Sequence, residues 1–162
     1  AHSDYTFRKY GGNDCDFNWE EIGKAPEADH VPNTDINSFT HIYKSLIGKV
    51  RNLGSKPVLF SLIPLVSERY FAHITRNMDE AGRRNVLDWL GGNTEGISNW
   101  HEIYNLQIFK LGLAMNVPVI DVTSVFLGNK NFGEYICADG IHPNEKGHRL
   151  IADTVCDLFG NP

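Results

Sequence analysis

Residues 57–64 read Pro57-Val58-Leu59-Phe60-Ser61-Leu62-Ile63-Pro64, a short apolar run bounded by prolines. Such a run predicts a strand buried on both faces. The sequence on either side has a different period. Upstream, Asn33-Thr34-Asp35 offers helix caps. Phe39, Ile42, Tyr43, Leu46, Ile47, Val50 and Leu53 then recur at steps of three and four, one helical face closed by Gly54. Downstream, a helix-like stretch surrounds Val86-Leu87-Asp88-Trp89-Leu90 and stops at Gly91-Gly92. A second runs over residues 98–115, with Trp100, Ile103, Tyr104, Ile108 or Phe109, and Leu111 recurring. Val117-Pro118-Val119-Ile120-Asp121-Val122 predicts another buried strand. A final helix is expected over residues 144–159, with Leu150, Ile151, Val155, Leu158 and Phe159 facing inward.

At the start, Asp4-Tyr5-Thr6-Phe7-Arg8-Lys9-Tyr10 is β-prone and runs into Gly11-Gly12-Asn13-Asp14. Arg8 and Lys9 are foreign to a buried parallel strand; they suit an edge strand or side chains that reach its end. Strand, helix, strand, helices, strand, helix is the order that builds a parallel sheet covered by helices. Ligand sites in such sheets lie beyond the carboxyl ends of the strands. Both Gly11-Gly12-Asn13-Asp14 and the loop entering the last helix belong at that end. The 162 residues suffice for one domain, residues 1–162, without a metal or disulfide staple.

Fifteen Lys and Arg against twenty Asp and Glu give a net charge of −5, which argues against a nucleic-acid partner. No run of 18 apolar residues exists, so no membrane span is expected. Residues 1–10 carry no signal-peptide core. Cys15, Cys137 and Cys156 read as free thiols, which favours the cytoplasm, with secretion left open.

The strongest chemical signal is Asp139-Gly140-Ile141-His142-Pro143-Asn144. An Asp three residues before a His can turn its carboxylate onto the imidazole and fix its tautomer, leaving the other ring nitrogen as a general base. Pro143 holds His142 extended, and Asn144 can cap the helix that follows. An ordinary Asp-Gly turn with a solvated His is the alternative. In Gly11-Gly12-Asn13-Asp14, two glycines allow positive φ and close backbone approach, and the Asn amide can donate to an oxyanion. A plain turn has the same composition.

Taken together, the GxND block after a strand and the DxxH block before the last helix resemble the SGNH (GDSL-type) hydrolases, a family of esterases and acylhydrolases. The spacing, the order of elements and the His-Pro-Asn continuation fit as well. The resemblance implies a flavodoxin-like three-layer α/β/α fold (the SGNH-hydrolase fold) and a Ser-His-Asp mechanism acting on a small-molecule ester. The acyl group would be acetyl or another short acyl, on a carbohydrate among other alcohols. It implies Asn13 and Gly12 in oxyanion and substrate binding, His142 as general base and acid, and Asp139 as its orienter, with no cofactor.

The family's Gly-Asp-Ser block has no counterpart in this sequence. The nucleophile is therefore expected outside the given chain, on N-terminal strands and helices of about sixty residues if these are two βα units. The strand at residues 4–10 would then be an exposed edge, open to a complementing N-terminal segment or to a second copy. Ser124 is expected to cap a helix, Ser61 to be packed, and Ser3 to sit at the wrong end of its strand. A catalytically incomplete binding or assembly module of the same fold is the competing class. A nucleotide-binding domain fits less well, because the GxND loop opens onto bulky Cys15-Asp16-Phe17-Asn18-Trp19.

His142 and His148 with Asp139 do not make a metal-ligand pattern, since His148 falls a turn into the helix and points elsewhere. Cys137 is expected to pack under its loop rather than act as a thiol nucleophile. Trp89, Trp100, Tyr70 and Phe71 are candidates for a pocket wall or for core. Residues 67–99, long for a strand–helix connection, are a candidate lid.

Overall fold

The computed structural model describes residues 4–9 and 11–159, with the side chain of Phe159 outside that description. Tyr10, Ser3 and the inward orientation of Phe159, on which expectations were placed, lie outside the described residues. Three parallel strands, β1 (Tyr5–Arg8), β2 (Lys56–Phe60) and β3 (Val119–Ile120), form a sheet in the order β1-β2-β3. Tyr5 stands opposite Lys56, and Leu59 opposite Val119. Seven helices connect and cover them: α1 (Trp19–Lys24), α2 (Ile36–Asn52), α3 (Ser67–Ile74), α4 (Glu80–Trp89), α5 (Glu95–Met115), α6 (Val122–Leu127) and α7 (Glu145–Phe159).

Alternation along β2 creates the layers. Leu59 faces Phe39, Tyr43 and Ile47 of α2 and Tyr104, Ile108 and Leu111 of α5. Val58 and Phe60 face the other way, onto Ile120, Val122 and Phe126, with Leu150, Ile151 and Val155 of α7 packed around them. The result is the expected α/β/α sandwich. Each fully buried Leu, Ile or Phe in it contributes about 1.5–3 kcal/mol.

Strands β2 and β3 are both shorter than the apolar runs that announced them. Ser61 N still donates to the Ile120 carbonyl at 3.0 Å; beyond it the chain leaves the ladder, and side chains take over its backbone groups. Asn105 Oδ1 accepts from Leu62 N at 2.8 Å, and Thr123 Oγ1 donates to the Leu62 carbonyl at 2.5 Å. Ser61 is fully buried and accepts from Thr123 N at 2.9 Å. It is packed, as expected. In β3, Asp121 ends the strand by capping α6, its Oδ1 accepting from Ser124 N at 2.9 Å.

Helix α2 begins under the Asp35 cap, and Gly54 (φ 77°) follows its end. Ile42 and Leu53, assigned to the inner face, are instead exposed. On α5, Ile108 is the buried member of the Ile108/Phe109 pair, and Ile103 is exposed. Leu158 of α7 also faces out, 60% exposed. Ile42, Ile103 and Leu158 sit at the rim of their helical stripe, where a step of three or four overshoots the contact face, and Leu53 lies at the cap beyond the end of α2.

Helices α1 and α3 have no counterpart in the sequence reading, and α6 was marked only by the cap expected at Ser124. At six to eight residues each, they are too short to show a period. The 67–99 segment supplies α3, α4 and the start of α5. Its α4 lies against α1, where Gly23 and Gly82 bring the two backbones together.

Candidate active site

The loop after β1 is built rigid. Gly11 takes φ 132°, and a Cβ there would meet Leu62 at 2.9 Å, so only glycine fits. Gly12 differs from expectation: its φ is not positive, and nothing lies within 4 Å of where a Cβ would be. The loop is pinned from outside. Asn33 Nδ2 donates to the Asn13 carbonyl at 2.9 Å, Thr34 N to the Asp14 carbonyl at 2.9 Å, and Trp100 Nε1 to the Cys15 carbonyl at 2.8 Å. The Asn13 side chain is left exposed.

The second loop is held as tightly. Gly140 takes φ 85°, with Tyr70 N 2.5 Å and the Val66 carbonyl 2.7 Å from a would-be Cβ. Val66 N donates to the Gly140 carbonyl at 2.8 Å, and Cys137 N to the His142 carbonyl at 2.8 Å. Asp139 Oδ1 accepts from the backbone N–H groups of Ile141 (3.0 Å) and His142 (3.1 Å). Its Oδ2 lies 2.8 Å from His142 Nδ1. Partial burial raises the Asp139 carboxyl, but the two N–H donors and the imidazole outweigh it and lower the group to about 2. An ionised carboxylate can only accept, so Nδ1 carries the hydrogen and Nε2 keeps its lone pair. Asn144 caps α7, its Oδ1 accepting from Gly147 N at 3.1 Å.

The two loops share one cavity of about 500 Å³ at the carboxyl end of β1 and β2. Gly11, Gly12, Asn13, His142 and Pro143 line one side. Phe17, Trp19, Trp89, Ile97 and Trp100 line the other. Phe17 is the hub of that wall, with ring centroids 5.0 Å from Trp89, 5.6 Å from Trp100 and 5.7 Å from Trp19. Trp89, Trp100 and Tyr70 thus face the cavity, while Phe71 packs in the cluster behind them.

Cys15 lines the cavity too. Burial, then the Asp16 and Asp14 carboxylates, push its thiol up to about 12, and it donates to the Gly12 carbonyl at 3.2 Å. It stays protonated and is no nucleophile. No serine among the described residues lines the cavity. Ser124 is not the helix cap expected of it: Asp121, three residues earlier, caps α6, and Ser124, inside the first turn, donates its Oγ hydrogen to the Asp121 carboxylate at 2.6 Å. His148 is exposed on α7 away from the cavity, and no described cluster of three or more His, Cys, Asp or Glu could hold a metal ion.

His101 was missed from the sequence. It lines the cavity from α5, is only 9% exposed, and has no hydrogen-bond partner among the described residues. The available signal was its place on the inner stripe, between Ile97 and Ile108, where a polar ring is out of keeping.

A parallel sheet between two helical layers, with a carboxylate-bound imidazole beyond its carboxyl edge, is the architecture of an α/β/α hydrolase fold. The chain belongs to the GDSL-like lipase/acylhydrolase family, whose model matches residues 1–150. Among solved structures, the chain is similar to the lipase/acylhydrolase from Enterococcus faecalis, at 16% identity and a TM-score of 0.60. That match covers 96% of this chain and 60% of the other, so the chain spans about three-fifths of the length of that relative. No curated protein sequence matches it.

Proposed function

We propose that this chain is a single domain carrying the acid–base and oxyanion half of a serine ester hydrolase. The observation that supports the reading is the common cavity. The Asp139-bound ring of His142 and the Asn13 amide line the same space. In the reaction, a serine hydroxyl brought from outside the residues lining this cavity attacks the ester carbonyl carbon. His142 Nε2 takes the hydroxyl proton as the bond forms, and Asp139 stabilises the imidazolium. The Asn13 amide and the Gly12 backbone donate to the oxyanion. The tetrahedral intermediate collapses, His142 returns the proton to the leaving alcohol, and water repeats the sequence to release the acid.

The substrate is a small-molecule ester, the compartment the cytoplasm. Residues 67–99 act as a lid over the aromatic end; replacing them with a short linker changes substrate preference, and unchanged kinetic constants across an ester panel remove that role. The test of the reading itself is a serine-directed fluorophosphonate on the whole protein. Labelling that needs His142 supports it; a folded protein that takes no label refutes it.

One observation favours a second reading, a binding or assembly module. On the sheet edge at β1, Tyr5 and Phe7 are 41% and 44% exposed, a surface suited to a complementing N-terminal segment or a second copy. The same probe separates the two.

A further inference from the structure

Buried imidazoles in protein cores ordinarily give their N–H to a partner. His101 has no such partner among the described residues. Asn105, one turn along α5, is engaged elsewhere: its Oδ1 accepts from Leu62 N at 2.8 Å, and its Nδ2 lies within hydrogen-bond distance of both oxygens of Glu102, at 3.0 and 3.1 Å. The ring nitrogens of His101 are not sealed off either, since neither is among the fully buried, unpartnered side-chain polar atoms of the described residues. His101 therefore meets whatever fills the cavity, beside Ile97 and Trp100 on the same helix.

We propose that His101 is a substrate-binding residue whose imidazole hydrogen-bonds a hydroxyl of a neutral, polyhydroxylated ring of the pyranose type, lodged against the aromatic wall. The proposal rests on the ester-hydrolase reading and names the substrate class of the same cavity. Burial lowers His101 to about 4, so at neutral pH the ring is uncharged and offers one donor and one acceptor. A hydroxyl matches both. An aliphatic chain at this place would displace water and strand the imidazole. A carboxylate or phosphate would face Asp14 and Asp16, with Lys9 as the one lysine on the wall. The half-buried faces of Trp89 and Trp100 suit the C–H face of a sugar ring, and the Asp carboxylates accept its remaining hydroxyls.

The test is binding, not turnover. Methyl β-D-xylopyranoside and 2-methoxytetrahydropyran, the same ring without hydroxyls, are titrated into the whole protein while the histidine ring resonances are followed. The His101 signals are assigned by their loss in His101→Gln. The xyloside should move them and bind about tenfold more tightly than its deoxygenated counterpart. His101→Leu should erase that ratio, and His101→Gln, which keeps a donor and an acceptor, should retain most of it. Unmoved His101 signals at the highest soluble xyloside concentration, equal binding of the two rings, or a ratio that survives in His101→Leu overturns the proposal. If the Leu variant does not fold, the wild-type comparison decides alone. Failure here with intact phosphonate labelling removes the substrate class only; absent labelling with an intact ratio removes the hydrolase reading only.

Discussion

The two walls of the cavity are made in opposite ways. The catalytic pair on the polar wall is local: Asp139 reaches His142 across three residues, and the loop supplies both N–H groups that hold the carboxylate. The aromatic wall is assembled from afar: Phe17 meets Trp89 and Trp100 across more than seventy residues of sequence. A local motif can keep its geometry when distant packing is weakened, whereas a long-range cluster is lost with any element that carries it. Chemistry should therefore be sensitive to the first wall, and stability to the second.

The sharpest break would come from His142→Ala. Turnover of an ester substrate should fall about 10⁴-fold with the melting temperature little changed, because the ring is 71% exposed and little packing is lost. A variant that hydrolyses at the wild-type rate would end the assignment of the base. Phe17→Ala should do the reverse, costing about 4 kcal/mol of stability in a urea titration, since it empties the hub of three indole contacts. A loss below about 1 kcal/mol would mean that the wall does not depend on its hub. Asn13→Ala should cost about 3 kcal/mol in the transition state, read as kcat, with KM nearly constant. A change confined to KM would move Asn13 from oxyanion to ground-state binding.

Acid separates the walls again. His101 binds a proton near 6.5 when unfolded but near 4 when folded, so the unfolded chain takes up protons first. Stability should fall as pH drops from 6.5 to 4, by at most on the order of 3 kcal/mol, and His101→Gln should flatten that part of the curve. Asp139, lowered to about 2, acts with the same sign in a lower window, since the unfolded carboxylate again takes up its proton first. Its contribution is whole above pH 4 and disappears as pH falls towards 2, a smaller effect for a surface group and absent in Asp139→Asn. Urea midpoints across pH 2–7 resolve both limbs; a flat curve in either window removes that linkage.

Much of this was legible in the residues. The prolines around 57–64 and the periodic faces of α2, α5 and α7 announced the sandwich, because burial on one or both faces leaves a mark in local order. The Asp139–His142 contact was legible for the same reason: three residues of spacing and one turn decide it. Strand ends were not, since Asn105 and Thr123 draw β2 out of the ladder from far along the chain. Nor was His101, an ordinary helical residue until the fold sets it in a cavity with Leu62, Ile97 and Trp100.

The sequence by itself determined the alternation of strand and helix, the glycines at 11 and 140, and the carboxylate–imidazole pair, because period, φ and short spacing are properties of neighbouring residues. Only the tertiary structure decided that the Asn13 loop and the His142 loop open into one cavity, that aromatic rings close its far side, and that an imidazole is buried there without a partner. Those depend on packing between residues tens of positions apart, which no local pattern encodes.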